Sequence, residues 1–209
     1  MRLYLASTSP ARLATLRAVG VEPVLLASGV DEEAAVAAAG AQPTDEMVLM
    51  LARLKAEAVL SPEIDGFVLG GDSAFELDGV SYGKPHSPEI ARQRWVTQRG
   101  RTGVLHSGHW LIDHRGGVLG AALGGATGGV SSARVQFASD ISDSEIDAYI
   151  ATGEPLEVAG AFTIDSLGAP FITRVEGDPH AVVGLSVALL RRLLLDFGVE
   201  WPTLWNRVL

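Results

Sequence analysis

The sequence predicts an α/β protein with a twisted mixed β-sheet and flanking helices packed on it. Two observations favour this class. Short apolar runs alternate with helix start signals in the first part of the chain, and paired strand patterns with helices between them follow. Hydrophobic residues make up 47% of the 209 residues, which is enough for a sizeable core and excludes a disordered chain. Because we find no internal repeat or linker, we expect a single domain over residues 1–209.

The first strand and helix follow from a few residues near the start of the chain. An apolar run at Leu3–Ala6 predicts a strand. Ser9 is suited to cap the next helix, and Pro10 suits its first turn, where no backbone N–H is needed. Gly20 is expected to end this helix, and a second strand is expected at about residues 22–26.

A longer helix is predicted from Thr44, as its cap, to about Leu60. Its apolar spacing places four residues on the buried face: Met47, Leu51, Leu54 and Ala58. A short strand at residues 67–69 is expected to end at the two glycines before Asp72. The dipeptide Asp78-Gly79 then predicts the two-residue turn of a hairpin.

Helix start signals recur in the second half. Ser87 and Pro88 predict a helix to about Gln98, and the capping box Ser142–Glu145 predicts another that ends at Gly153. The remaining predicted elements are strands at 103–113, 130–137, 161–164 and 171–175 and an apolar helix at 182–197. A run rich in Gly and Ala between the first two of these strands predicts a long hairpin connection.

Composition excludes several partners. The chain has 25 acidic and 16 basic side chains, and the basic ones comprise 14 arginines but two lysines, so the formal net charge is -9. An acidic chain without a basic run is a poor candidate for coating nucleic acid or an anionic membrane. The absence of cysteine excludes a disulfide scaffold, a zinc–thiolate site and a thiol nucleophile. Since no signal peptide is seen and the longest uncharged run, 118–132, is too short for a membrane span, we expect a soluble cytoplasmic protein.

The turn between the first strand and the first helix is a candidate anion site. Free N–H groups and the positive end of the helix dipole attract anions at a helix start. Ser7, Thr8 and Ser9 add hydroxyl donors, and Arg12 adds a cation one turn into the helix. The same residues would also suit an ordinary helix cap beside a surface arginine.

Three further positions could carry chemistry. Asp72 follows a buried strand, where a carboxylate could hold magnesium or accept a proton from water, although a turn aspartate is an equal alternative. The acidic cluster 31–33 could act on phosphates through a divalent cation, or could be a solvated loop. Lys84 stands between Gly83 and Pro85, which fix the backbone around its ammonium group, but a plain turn would look the same.

Other enzyme classes lack support in the sequence. There is no Gly-x-Ser-x-Gly elbow, no Walker A loop and no Gly-x-Gly-x-x-Gly after a strand. These absences argue against a serine hydrolase, a P-loop kinase and a Rossmann oxidoreductase. The five histidines show no metal-ligand spacing, so we expect them to be structural or surface residues.

A series of short motifs covers nearly the whole chain. They are Leu5-Ala6-Ser7-Thr8-Ser9-Pro10, Val30-Asp31-Glu32, Leu51-Ala52-Arg53-Leu54-Lys55-Ala56, Gly70-Gly71-Asp72-Ser73, Gly83-Lys84-Pro85, Gly153-Glu154-Pro155, Ala159-Gly160-Ala161-Phe162 and Gly177-Asp178-Pro179. In this order they resemble the Maf family, also called septum formation inhibitor proteins. Gly100-Arg101-Thr102-Gly103 is most similar to the actinobacterial branch.

The resemblance implies a fold with a central cleft, similar to that of inosine triphosphatases, and often a homodimer. It also implies a nucleoside triphosphate pyrophosphatase. Such an enzyme releases a nucleoside monophosphate and pyrophosphate with a divalent metal cation, Mg²⁺ or Mn²⁺. Its substrates would be modified or surplus nucleotides.

The resemblance assigns roles to individual residues. Asp72 is implied as the general base or a metal-bound carboxylate, and Glu32 as the second carboxylate linked to the metal. Lys55 and Lys84 are implied as catalytic cations that stabilise charge on the phosphates. The implied substrate-binding residues are Ser7, Ser9, Arg12, Ser73 and Asp165.

Four positions depart from the family pattern. The family often has arginine where this chain has Ala11, and it has lysine where this chain has Val158. Its pyrimidine-selective branch has threonine and glutamine where this chain has Ser73 and Asp165. Because these positions are linked to base choice, the preferred nucleotide stays open.

Two other functions stay open at this point. One is a regulator of cell division that binds a nucleotide or a protein without catalysis, and the other is a phosphohydrolase acting on a sugar nucleotide. The presence of Asp72 with both lysines favours the enzyme, because a binding protein need not keep a water-activating carboxylate.

Overall fold

Seven strands build one mixed sheet in the part of the chain that the computed structural model describes, residues 1–117 and 125–207. The strands among these residues are β1 (Leu3–Ala6), β2 (Val24–Leu25), β3 (Gly66–Leu77), β4 (Val80–Tyr82), β5 (Thr102–His114), β6 (Ala126–Phe137) and β7 (Ile172–Gly177). Their order is β2-β1-β3-β5-β6-β7, with β4 paired to β3. Since β1 runs parallel to β2 and β3 while β4 and β7 pair antiparallel to their neighbours, the predicted α/β class with a mixed sheet is confirmed.

The helices are α1 (Pro10–Ala18), α2 (Glu32–Ala39), α3 (Thr44–Ala58), α4 (Pro88–Gln98), α5 (Asp143–Ala151), α6 (Pro179–Val183) and α7 (Val187–Asp196). Short 3₁₀ turns lie at Glu154–Glu157, Ala159–Ala161, Ala169–Phe171 and Trp201–Leu204. The predicted caps Ser9, Ser87 and Ser142 all accept a backbone N–H of the first turn, so these helix starts are confirmed. The predicted turn at Asp78-Gly79 is confirmed as well, because both residues have positive φ between β3 and β4.

Several boundaries differ from the prediction. Thr44 is the first helical residue of α3 rather than its cap, and the preceding Pro43 makes no side-chain cap bond. The helix α2 was not predicted, although Asp31 caps it and alanines dominate it. The expected strand at 161–164 is wrong, because Gly160 and Ala161 take left-handed backbone angles that end any extended run there.

The predicted C-terminal helix at 182–197 is two helices. Gly184 has a φ of 111°, which no helix can contain, so α6 stops just before it. Ser186 then starts α7 by accepting the backbone N–H of Leu189 at 3.0 Å. The predicted Gly- and Ala-rich connection lies mainly at residues 118–124, outside the described residues.

The chain divides into two units, and each has its own hydrophobic core. The first unit comprises Met1–Asp72, Ser107–Ser131 and Gly184–Leu209, and the second comprises Ser73–His106 and Ser132–Val183. Leu5, Leu16, Phe67, Leu69 and Leu190 are among the buried side chains of the first core. Phe75, Trp95, Phe137, Tyr149 and Phe162 are among those of the second. The expectation of a single domain with a central cleft stays a prediction.

The buried face of α3 is not the predicted one. Of the four residues expected there only Leu51 is buried, and it is joined by Thr44, Val48, Ala52, Lys55 and Ala56. The reason lies in the strands beneath. A Cβ atom on Gly70 of β3 would lie 2.0 Å from the Ala52 carbonyl oxygen, and one on Gly108 of β5 would lie 2.4 Å from the Val48 carbonyl oxygen. The helix backbone therefore rests directly on the sheet, and this close approach places Lys55 above β3.

We expect Gly70→Ala to lower the free energy of unfolding by about 2–3 kcal/mol, because the added methyl group must push α3 away from the sheet. Urea unfolding followed by circular dichroism measures the change. Gly83→Ala is the matched control, since a Cβ at Gly83 meets nothing within 4 Å and its φ suits any residue. Equal stability of the two variants would contradict the close packing of α3 on β3.

Candidate active site

The parallel pairing of β1 with β3 ends where the candidate residues begin. Ala6 of β1 pairs with Gly70 of β3. Ser7 directly follows Ala6, and Asp72 lies two residues after Gly70. The prediction that the strand stops before Asp72 is wrong, because β3 continues to Leu77. The parallel part nevertheless ends at Gly70, so Ser7 and Asp72 both follow the carboxyl edge at which α/β sheets bind ligands.

Lys55 joins two of the predicted carboxylates. Its Nζ atom donates to Asp72 Oδ1 at 2.6 Å and lies 2.7 Å from Glu32 Oε1. Lys55 and Asp72 are each 7% exposed, whereas the Glu32 side chain is about half exposed at the start of α2. Three residues that are far apart in sequence and carry predicted roles therefore meet at one point.

Arg12 adds a second buried cation. Its Nη1 donates to Ser7 Oγ at 3.1 Å and its Nε donates to the Gly184 carbonyl oxygen at 2.9 Å. Ser9 caps α1, and its own N–H donates to Ser7 Oγ at 3.2 Å. The predicted turn of Ser7, Ser9 and Arg12 is thus a connected set of donors, not a cap beside a surface arginine.

We call Arg12, Glu32, Lys55 and Asp72 the ion cluster. Two cations and two anions give it a formal net charge of zero. Burial raises the pKa of Asp72 above its ordinary value, although the charges of Lys55 and Arg12 oppose this. Burial likewise lowers the pKa of Arg12, against the attraction of Asp72 and Glu32. A carboxylate with a raised pKa is a stronger proton acceptor near neutral pH, which suits a general base.

The other predicted site residues belong to the second unit. Lys84 is half exposed, and its Nζ lies 3.9 Å from Glu157 Oε2. Ser73 is the next residue of β3 after Asp72, and Asp165 is exposed in the turn that follows the Ala159–Ala161 segment. Their roles in catalysis and substrate binding stay predictions.

Sequence reasoning missed Arg94, which supports the segment that carries Lys84. Arg94 Nη1 donates to the carbonyl oxygen of Gly83, and its guanidinium lies 5.3 Å from the centre of the Tyr82 ring. The N–H of Gly160 donates to the same carbonyl oxygen at 3.3 Å. Nothing in the sequence marks Arg94 among the helical arginines, since its role depends on which segment lies beside α4.

Glu154 was also missed as an organising residue. Its carboxylate accepts the hydroxyl groups of Tyr149, Thr163 and Ser166 and the backbone N–H groups of Leu167 and Gly168, at 2.6–3.3 Å. Burial alone would raise the pKa of Glu154, but hydrogen bonds from Ser166, Thr163 and Tyr149 lower this pKa from 4.5 to about 2. The single carboxylate therefore fixes the turn at residues 163–168, in which Asp165 lies.

We expect Glu154→Gln to lower the free energy of unfolding at neutral pH by about 1–2 kcal/mol, because one amide cannot accept from five donors. The folded-state pKa is depressed, so the stabilisation is present above pH 4.5 and is lost as the pH falls toward 2. Urea unfolding at several pH values should show the free energies of unfolding of the wild type and Glu154→Gln converging as the pH falls from 4.5 toward 2. The control is Glu157→Gln, whose side chain is 71% exposed in the same 3₁₀ turn. A difference that does not change with pH would contradict the assignment.

Two buried histidines, His109 and His114, make structural contacts. His109 is buried, its Nδ1 lies 3.1 Å from the Ser107 carbonyl oxygen, and its Nε2 accepts the N–H of Ser186 at 3.0 Å. His114 Nδ1 lies 2.8 Å from the Ile64 carbonyl oxygen. Across residues 1–117 and 125–207, no three His, Asp or Glu side chains gather in a group suited to a metal ion.

Glu32 and Asp72 nevertheless fit part of a magnesium site. Their oxygens Oε1 and Oδ1 converge on the single atom Lys55 Nζ, at 2.7 and 2.6 Å. Mg²⁺ is usually held by one or two carboxylates, with substrate phosphates and water supplying the other ligands. The donor set is therefore of the right chemistry for a cation that arrives with a phosphate.

A helix start with hydroxyl donors beside a buried acid and two cations is an arrangement suited to phosphate chemistry on an α/β fold. A model of the family described as "Maf-like protein" matches residues 2–197. The chain belongs to this family.

Several relatives match over nearly the full length. A protein of Leifsonia xyli subsp. xyli is 67% identical over 99% of this chain and 98% of its own. Proteins of Salinispora tropica and Rhodococcus opacus are 51% and 48% identical, over 99% and 96% of this chain and 88% and 94% of their own. All three are named nucleoside triphosphate pyrophosphatase.

Among solved structures, the Ham1 protein of Staphylococcus aureus matches 94% of this chain and 95% of its own with a TM-score of 0.45 and 13% identity. Among the described helices, none has the length and apolar character that crossing a membrane requires.

Proposed function

We propose that the chain is a nucleoside triphosphate pyrophosphatase, which cleaves the α–β phosphoanhydride bond and releases a nucleoside monophosphate and pyrophosphate. The observation that carries the proposal is the ion cluster around Asp72 in a chain that is 67% identical to a relative of that name. No observation favours a cell-division regulator without catalysis or a sugar-nucleotide hydrolase.

Binding of the triphosphate requires local positive charge, because about four negative charges enter a protein whose net charge is -9. The N–H groups at the start of α1, the hydroxyl of Ser7 and the guanidinium of Arg12 bind phosphate oxygens. Lys55 and Lys84 stabilise the charge that builds up on the pyrophosphate leaving group.

Hydrolysis needs a water molecule directed at the α-phosphorus of the substrate. Asp72 orients this water, either by accepting its proton or as a carboxylate bound to the metal. The P–O bond to the bridging oxygen breaks as the new P–O bond forms, and the bridging oxygen leaves with pyrophosphate. The buried position of Asp72 keeps competing water away from the carboxylate.

Glu32 and Asp72 would hold the divalent cation, Mg²⁺ or Mn²⁺. The cation supplies Lewis-acid polarisation of the phosphoryl oxygens when bound. Ser73 and Asp165 contact the nucleoside part of the substrate, and a preference for modified or surplus nucleotides would be set there. The active form is a homodimer in the cytoplasm, and the absence of cysteine suits that reducing compartment.

A panel of ordinary and modified nucleoside triphosphates, each with Mg²⁺ or Mn²⁺, tests the proposal. We expect at least one substrate to yield pyrophosphate and monophosphate. Binding without turnover across the panel would favour a nucleotide-binding regulator instead. Release of inorganic phosphate and a nucleoside diphosphate would show cleavage of the β–γ bond instead and would contradict the proposal.

A further inference from the structure

The ammonium group of Lys55 lies at the point that a divalent cation would need. Both carboxylate oxygens directed toward that point are within 2.7 Å of Lys55 Nζ. The ammonium is held there by burial, since the Lys55 side chain is 9% exposed between Glu32 of α2 and Asp72 of β3. A cation that used Glu32 and Asp72 as ligands would therefore have to displace Lys55 Nζ from both of them.

The charge balance makes this displacement unfavourable for a cation alone. In the nucleotide-free protein, Lys55 and Arg12 already neutralise Glu32 and Asp72. A divalent cation entering without an anion would leave two excess positive charges in a largely buried cluster and would repel the displaced ammonium. A triphosphate removes both obstacles, because its oxygens offer the flexible lysine a new partner and supply the missing negative charge.

We propose that Lys55 sets the order of binding: it occupies the metal position in the nucleotide-free protein and yields this position only when a triphosphate arrives. The metal and the nucleotide then bind with positive coupling. The inference rests on the proposed function for the identity of the anion and the metal. It goes beyond that function in assigning Lys55 a role before any chemistry.

The test measures metal binding, not turnover. Mn²⁺ is titrated into the full-length, nucleotide-free protein and free Mn²⁺ is followed by electron paramagnetic resonance. We expect Lys55→Met to bind Mn²⁺ at least about tenfold more tightly than the wild type, within the usual range of coupling between sites. Arg53→Gln is the matched control, because it removes one positive charge from the exposed face of the same helix, where Arg53 pairs with Glu57. It should leave the Mn²⁺ affinity unchanged.

A second measurement keeps the proposal testable if Lys55→Met folds poorly. An α,β-methylene nucleoside triphosphate cannot be cleaved at the α–β bond. The wild-type protein with this analogue should bind Mn²⁺ about tenfold more tightly than the protein alone or the analogue alone. Equal Mn²⁺ affinity with and without the analogue, or equal affinity of wild type and Lys55→Met, would overturn the proposal. A protein that hydrolyses no triphosphate yet shows the coupling would refute the proposed function alone, and an active hydrolase without coupling would refute the binding order alone.

Discussion

Asp72→Asn is expected to lower kcat/KM for the best triphosphate by a factor of about 10²–10⁴ while leaving the protein folded. Asparagine has nearly the same shape as aspartate, so the packing of β3 is kept. Its amide cannot accept a proton from water, and it no longer neutralises Lys55, whose Nζ lies 2.6 Å from the carboxylate. Initial rates of pyrophosphate release at several substrate concentrations measure the change.

Asp196→Asn is the matched control for Asp72→Asn. Asp196 is exposed at the last residue of α7, so the same chemical change there should leave kcat/KM within about twofold of the wild type. Full activity of Asp72→Asn would show that Asp72 takes no part in catalysis, although the pyrophosphatase activity itself would be confirmed.

Lys55→Arg is expected to lower kcat by about tenfold to a hundredfold, although the charge is preserved. The Lys55 ammonium is a compact group between two carboxylate oxygens at 2.6 and 2.7 Å. A planar guanidinium needs more space, and making that space would pull α3 away from its close contact with Gly70 of β3. Steady-state kinetics and urea unfolding together separate lost turnover from lost stability.

Arg53→Lys is the matched control for Lys55→Arg. It exchanges the same two side chains in the reverse direction on the exposed side of α3, and its kinetics should equal those of the wild type. Lys84→Arg is also expected to slow turnover, by a smaller factor because Lys84 is half exposed. Unchanged kinetics in both lysine variants would mean that turnover depends only on the positive charge of Lys55 and Lys84 and not on the shape of their side chains.

Local rules predicted the parts of the fold that depend on neighbouring residues. Ser9, Ser87 and Ser142 cap helices because their hydroxyls reach a backbone N–H three residues on, and that contact needs no tertiary structure. The turn at Asp78-Gly79 is likewise decided by two residues that accept positive φ. The α/β class followed from the sum of these local patterns.

Tertiary packing decided what the sequence pattern could not. A search for apolar periodicity places Leu54 in the core of α3 and leaves Lys55 outside, yet Lys55 is buried because its partner Asp72 is buried too. The family resemblance named both residues, but no local pattern predicted that they touch. The donors to Glu154 and the contact of Arg94 with Gly83 depend in the same way on segments that meet only after folding.

The proposed pyrophosphatase activity is tested most directly by the products that the purified protein forms from one triphosphate substrate. Their identity and ratio are followed by ³¹P nuclear magnetic resonance. We expect monophosphate and pyrophosphate in equal amounts from the wild type, and almost none of either from Asp72→Asn over the same time. Inorganic phosphate as the first product, or equal pyrophosphate release by the two proteins, would contradict the assignment of a pyrophosphatase site to the ion cluster.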